Sequence, residues 1–156
     1  MCRAEATRLQ ARRDEFAPGT RLVAVVKEAL GAAGPITPLS ALPEVDGFTE
    51  SIPWADAVVL DDTLAFYRAL GGGALNRMSG LGFLAKYLLN PWSTVNANVK
   101  RDSEFEGNLV GEGLVTGGVY VFGPSGRVEF AFLESEIGDH APIDSVVAAT
   151  RAAASA

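Results

Sequence analysis

Gly117-Gly118-Val119-Tyr120-Val121-Phe122-Gly123-Pro124-Ser125-Gly126-Arg127-Val128-Glu129-Phe130-Ala131-Phe132 reads as two short strands joined by a tight turn. Runs of β-branched and aromatic residues flank Gly-Pro-Ser-Gly, whose residue types set turn dihedrals, so the segment predicts an antiparallel hairpin. Pro142 then opens a final helix with Ile143, Val146, Val147 and Thr150 on one face. The chain therefore ends β-β-α.

Earlier in the chain the pattern is of alternating helix and strand. Ala6, Leu9, Arg13 and Phe16 recur at helical spacing, which predicts a helix from about Arg3 to Phe16, ended by Pro18-Gly19. Leu22-Val23-Ala24-Val25-Val26 is a continuous apolar run suited to a strand buried on both faces, as in a parallel sheet. Gly31 to Pro53 is rich in Gly and Pro and predicts one short, irregular helix. Ala57-Val58-Val59-Leu60 is the second strand. Asp61 or Asp62 caps a following helix that carries Leu64, Tyr67 and Leu70, and Gly71-Gly72-Gly73 closes it. Ala74 to Glu106 is less regular, with one amphipathic helix (Leu81, Leu84, Leu88) stopped near Pro91. The order is α-β-(α)-β-α, an insert at 74–106, then β-β-α. One α/β domain over residues 1–156 is expected, with all four strand segments in a single mixed sheet flanked by helices.

Composition narrows the function. The 156 residues are 48% hydrophobic, enough for a proper core. A formal charge of −6 argues against a basic nucleic-acid footprint and against a polybasic membrane patch. No apolar run approaches the roughly 20 residues that span a bilayer, and Met1 to Arg8 has no apolar signal region. The expected location is cytoplasmic. With one cysteine, Cys2, and one histidine, His140, neither an internal disulfide nor a multi-Cys/His zinc site is available. No metal and no cofactor is expected.

Five features carry chemistry or a simpler alternative. Cys2 lies at the start of the first helix, where unpaired N–H groups and the helix dipole favour a thiolate; from position alone, an incidental cysteine is the simpler reading. The glycines from Gly107 to Gly118 lack the lysine and the strand-then-helix setting of a phosphate loop, so they read as a place where backbone approaches backbone. His140 is either a proton shuttle with Asp139 or part of a polar turn capping the last helix, and the cap is the simpler account. Asp61-Asp62 reads as a cap before a metal site. Leu81 to Leu89 with Trp92 reads as core or lid packing before a partner or membrane-surface face.

Taken together, the sequence resembles the peroxiredoxin-like 2 family, within the wider group of alkyl-hydroperoxide-reductase and thiol-antioxidant domains. The likeness lies in Cys2-Arg3-Ala4-Glu5-Ala6, in Leu22 to Glu28, and in Leu60-Asp61 with Phe66-Tyr67. It continues in Gly107-Asn108, Gly111-Glu112-Gly113, Gly117-Gly118-Val119 with Val121, and Gly123-Pro124. Glu134, Glu136 and Gly138-Asp139 complete it.

The resemblance implies a thioredoxin-like fold with a Cys-x-x-Cys motif at the first helix, serving antioxidant or redox-regulatory chemistry. One branch of the family reduces prostaglandin-type endoperoxides to F-type products. Cys2 matches the second cysteine of that motif, the resolving partner, and the first would lie three residues upstream, before Met1. The substrate would be a peroxide, an endoperoxide or a protein disulfide, with electrons from an external thiol reductant. In this fold the residue before the strand at Val119 faces the active cysteines, so Gly117 and Gly118 would leave the substrate approach open. The strand preceding the motif is internal to the sheet in this fold. Its absence would mark the chain as a fragment, poorly soluble or forming a homodimer through a vacant edge. The rival reading is a non-catalytic thioredoxin-fold module that binds a protein partner through Leu81 to Trp92.

Overall fold

The computed structural model describes residues 2–26, 56–61, 63–102 and 114–155. Helix α1 spans Cys2–Ala11 and runs on into a 3-10 turn, Arg13–Glu15. Strand β1 (Val23–Val26) pairs in parallel with β2 (Ala57–Leu60), Val23 opposite Ala57. Helix α2 is Ala65–Leu70, and α3 (Gly80–Leu84) continues as a π-helical turn, Ala85–Leu89. Helix α4 (Thr94–Arg101) was not foreseen; Ser93 caps it by accepting the Asn96 N–H at 3.2 Å. The chain closes with β3 (Gly118–Phe122), β4 (Val128–Leu133) and α5 (Ile143–Ala154).

Local expectations hold where side chains act on their own backbone. Asp61 is the cap of α2: its carboxylate accepts the N–H groups of Ala65, Phe66 and Tyr67 at 2.9, 2.8 and 3.2 Å. Gly71 follows the helix, and Gly72 and Gly73 take positive φ of 71° and 99°, which only glycine adopts without strain. The hairpin forms as read, with Gly118 opposite Leu133 and an irregularity after Val121. A Cβ at Gly118 would lie 2.2 Å from the Phe132 carbonyl oxygen, so this glycine is required for the two backbones to approach. The helix expected within Gly31 to Pro53 and the glycines from Gly107 to Gly113 lie outside the described residues.

The single mixed sheet is not what the described residues form. They make two separate two-stranded ladders, β1-β2 and β3-β4, and neither β1 nor β3 has a ladder partner on its second edge among them. A ladder joins only neighbours whose backbones meet at about 4.8 Å, and the two pairs do not meet. Side chains hold them together instead. Leu9 of α1 enters the main core with Phe16, Val121, Ala141, Val146, Val147 and Ala153. Ala6, one turn earlier, packs on Ala24 and Val58 of the parallel pair. Helix α1 thus touches both ladders, through residues three apart.

The expected core packing of the insert is overturned as well. Leu81, Leu89 and Trp92 are 79%, 82% and 91% exposed, and Leu84, Tyr87 and Leu88 are exposed too. The helix at Gly80–Leu84 is too short, and its π-helical continuation too open, to lay one stripe on the core. The insert is tied at its base, where Met78 donates to the Leu114 carbonyl at 2.9 Å and the Thr116 N–H to that of Asn76 at 3.0 Å. It is tied again near its end, where Val95 is fully buried and Asn98 Nδ2 donates to the Ile137 carbonyl at 3.3 Å. No helix among the described residues is long and apolar enough to cross a membrane.

Candidate functional site

Cys2 is the first residue of α1, where backbone N–H groups lack intrahelical partners. Glu5 stands three residues later, in the first turn of the same helix. The Glu5 carboxylate is 11% exposed and meets His140, whose side chain is 4% exposed. His140 Nδ1 lies 2.8 Å from Glu5 Oε2, close enough for an ion pair when the ring is protonated. The contact is out of line for a hydrogen bond, so both atoms are buried without one.

On its other side the imidazole bonds through Nε2 to Asp102 Oδ2 at 2.9 Å, and the Asp102 side chain is 5% exposed. Asp102 stands just beyond the last residue of α4, where Arg101 Nε donates to Oδ1 at 2.9 Å. The second arm of that guanidinium reaches the Gly138 carbonyl at 2.6 Å. Burial pushes the Asp102 carboxyl up, but Arg101 and His140 outweigh it and hold its pKa below the ordinary aspartate value. A chain of four groups, Glu5, His140, Asp102 and Arg101, therefore joins α1, the end of α4 and the loop before α5.

This arrangement replaces both sequence readings of His140. The ring does not cap α5, whose N-terminal flank is Pro142 with no side-chain cap, and it does not pair with Asp139. Asp139 accepts instead from the N–H and hydroxyl of Ser135, at 3.1 and 2.8 Å. Nothing in the spacing of Asp102 marks it in the sequence, and Glu5 enters there only within the Cys2-to-Ala6 block of the family resemblance.

Gly117 and Gly118 belong to a second group of contacts centred on Glu134. The Gly117 N–H donates to Glu134 Oε2 at 3.2 Å, and the Glu134 N–H returns to the Gly117 carbonyl at 3.1 Å. The Glu134 carbonyl accepts from Asn76 Nδ2 at 2.7 Å and from the Thr116 hydroxyl at 3.0 Å. Burial raises the Glu134 carboxyl above its usual range; the Gly117 N–H opposes this and the charge of Glu5 adds to it. So Glu134 feels the site at α1 while holding the glycine loop. The residues described offer no group of three His, Cys, Asp or Glu side chains arranged to hold a metal ion. Two surface depressions among the described residues lie elsewhere, one near Arg13 and Asp56 and one near Tyr87 and Asn96.

Residues 8–136 match the AhpC/TSA antioxidant enzyme family. The chain belongs to that family. Its relatives place it with the peroxiredoxin-like 2 proteins. It is 31% identical over 153 residues to Peroxiredoxin-like 2A of Danio rerio, a match covering 97% of this chain and 62% of the relative. It is 32% identical over 132 residues to Prostamide/prostaglandin F synthase of Bos taurus, covering 84% of this chain and 57% of the relative. The chain thus spans about six-tenths of the length of these curated relatives. No solved structure matches it. The mixture of helix and strand, with this family membership, fits a thioredoxin-like α/β fold.

Proposed function

We propose that this peroxiredoxin-like chain carries the resolving half of a thiol redox centre, with Cys2 as the resolving cysteine. The observation that carries the reading is the position of Cys2, the sole cysteine, at the first residue of a ten-residue helix in a chain of this family. A helix N-terminus favours thiolate over thiol, and the thiolate is the reactive form.

In the proposed reaction a first cysteine, supplied three residues before Cys2, attacks a peroxide oxygen as thiolate. The O–O bond breaks, an alcohol leaves after taking up a proton, and the sulfur becomes a sulfenic acid. The Cys2 thiol then displaces water from that sulfur, giving a disulfide. An external dithiol restores both thiols by exchange. With an endoperoxide the same two thiols become one disulfide while the O–O bond becomes two hydroxyls. A relative named for prostaglandin F synthesis supports the endoperoxide as one substrate class. Gly117 and Gly118 form the approach loop in this reading. A strand leading into that upstream cysteine, set between β1 and β3, would join the two ladders into one mixed sheet.

The test is the protein extended upstream of Met1, treated with mild peroxide and examined by mass spectrometry. A disulfide linking Cys2 to an upstream cysteine, and a trapped mixed disulfide in Cys2→Ser, are the expected results. Free thiols after peroxide would leave the second reading, a module that binds a protein partner. The specific observation favouring that reading is the exposed face of Leu81, Leu89 and Trp92.

A further inference from the structure

We infer that the exposed apolar tip of the insert, Leu81 to Trp92, is a docking surface for an anionic lipid bilayer, on which it lies without spanning it. This holds whether or not Cys2 is a redox thiol. Every residue from Leu84 to Trp92 is exposed, and the run carries Leu84, Tyr87, Leu88, Leu89 and Trp92 against one charge, Lys86. Leu81 stands exposed three residues earlier. Single exposed apolar side chains are ordinary, but a contiguous set of this kind marks a surface that something covers.

Charge selects the partner. From Thr63 to Arg101 there is no Asp or Glu, whereas Arg68, Arg77, Lys86, Lys100 and Arg101 are all exposed. That stretch carries +5, so the other residues carry −11 to reach the −6 of the whole chain. Two of the five basic groups are ion-paired with acids outside the stretch, Lys86 with Glu136 and Arg101 with Asp102. With both acids counted, the segment still carries +3. The whole-chain charge that argues against a membrane patch therefore hides a basic, apolar segment on an acidic body. Such a distribution turns that segment towards lipid phosphates. Lys100 shares a surface depression with Tyr87, Pro91 and Asn96, so a basic head and an aromatic ring border the tip together. Tyr and Trp favour the headgroup level, and Leu the boundary with the acyl chains.

The backbone of the tip is prepared for the same setting. A segment that leaves water must have its backbone polar groups satisfied within the protein. The Asn96 amide shares its N–H groups among the carbonyls of Lys86, Tyr87 and Asn90, at 3.3, 2.9 and 3.0 Å. The Ser93 hydroxyl also donates to the Lys86 carbonyl, at 2.9 Å, and the Trp92 N–H donates to Asn90 Oδ1 at 3.2 Å. In water these groups would find donors and acceptors without such an arrangement. Leu81, Leu89 and Trp92 line no part of the depression at Tyr87, so they project outward and do not shape a groove for a peptide.

Flotation of the chain with phospholipid vesicles provides the test. The chain should bind vesicles of phosphatidylcholine containing phosphatidylserine, with a blue shift of tryptophan fluorescence, and ignore vesicles of phosphatidylcholine alone. Added salt should release it, because the attraction to surface charge is screened. Lys100→Gln should weaken binding about fivefold, the effect of one basic group near an anionic surface. Leu89→Gln with Trp92→Ser should weaken it about tenfold or more and abolish the blue shift. Equal binding to both kinds of vesicle, or anionic binding that the variants retain in full, would overturn the inference. Binding to neither would also refute it and leave the face to a protein partner. So would a lipid-free dimer, seen by sedimentation equilibrium, that dissociates on Leu89→Gln with Trp92→Ser, since the face would then belong to a second copy. If circular dichroism shows a variant unfolded, the lipid and salt dependence of the unmodified chain decides alone.

Discussion

The phenol of Tyr120, in the hairpin, donates a 3.1 Å hydrogen bond to the carbonyl of Leu70, the last residue of α2. That bond crosses from the antiparallel pair to the helix that follows the parallel pair. A second phenol, that of Tyr67, ties α2 back to the Val25 carbonyl of β1 at 3.1 Å. With no shared ladder among the described residues, α2 and α1 help to couple the two strand pairs. Tyr120→Phe keeps the ring but leaves the Leu70 carbonyl without this donor. It should cost about 0.5–1.5 kcal/mol in urea unfolding.

The cap on α2 gives a larger effect. Asp61 accepts three backbone N–H groups, and α2 is only six residues long, too short to hold itself together. Asp61→Ala should lower stability by about 1–2 kcal/mol, and Asp61→Asn by less, because the amide oxygen still accepts. Denaturant unfolding of the two variants side by side measures the difference.

Acid titration should separate Asp102 from Glu134, because their shifts have opposite signs. The Asp102 carboxyl titrates lower in the folded chain, so its contribution is full above the unfolded value of about 3.9 and is lost as pH falls through the folded one. Asp102→Asn should therefore destabilise the chain at neutral pH, with the gap closing in strong acid. The Glu134 carboxyl titrates higher when folded, so ionising it weakens the fold as pH rises past the ordinary glutamate value. Glu134→Gln, which can still accept from Gly117, should stabilise the chain at neutral pH and have little effect well below pH of about 4. Urea midpoints over this range, for both variants, check the two signs.

Surface substitutions in the insert should scarcely change stability. Leu89 and Trp92 bury little area, so Leu89→Gln with Trp92→Ser should shift the unfolding free energy by less than about 0.5 kcal/mol. The same pair of changes should increase solubility by removing exposed apolar surface. A loss of several kcal/mol would show that the 81–92 segment packs on something.

The elements legible in the sequence are those whose cause is local. The hairpin at 118–133, the Asp61 cap, the Gly71-Gly72-Gly73 stop and the buried face of α5 each arise within about ten residues, from side-chain periodicity and side chains bonding nearby backbone. Family membership was legible for a related reason: short spaced blocks such as Gly117-Gly118-Val119 are residue identities in the chain itself and need no tertiary contact to be read. The pairing of ladders and the fate of the Leu81 to Trp92 stripe depended on what each segment meets in space. An amphipathic pattern states only that a face is apolar, not that a partner covers it. The site shows the same division. Cys2 at a helix start was readable from position. The Glu5–His140–Asp102 chain was not, because its members are separated by 135 and 38 residues and meet only when α1, α4 and the last loop pack together. Periodicity carries no information about such a meeting; burial and charge pairing decide it, and both exist only in the folded chain.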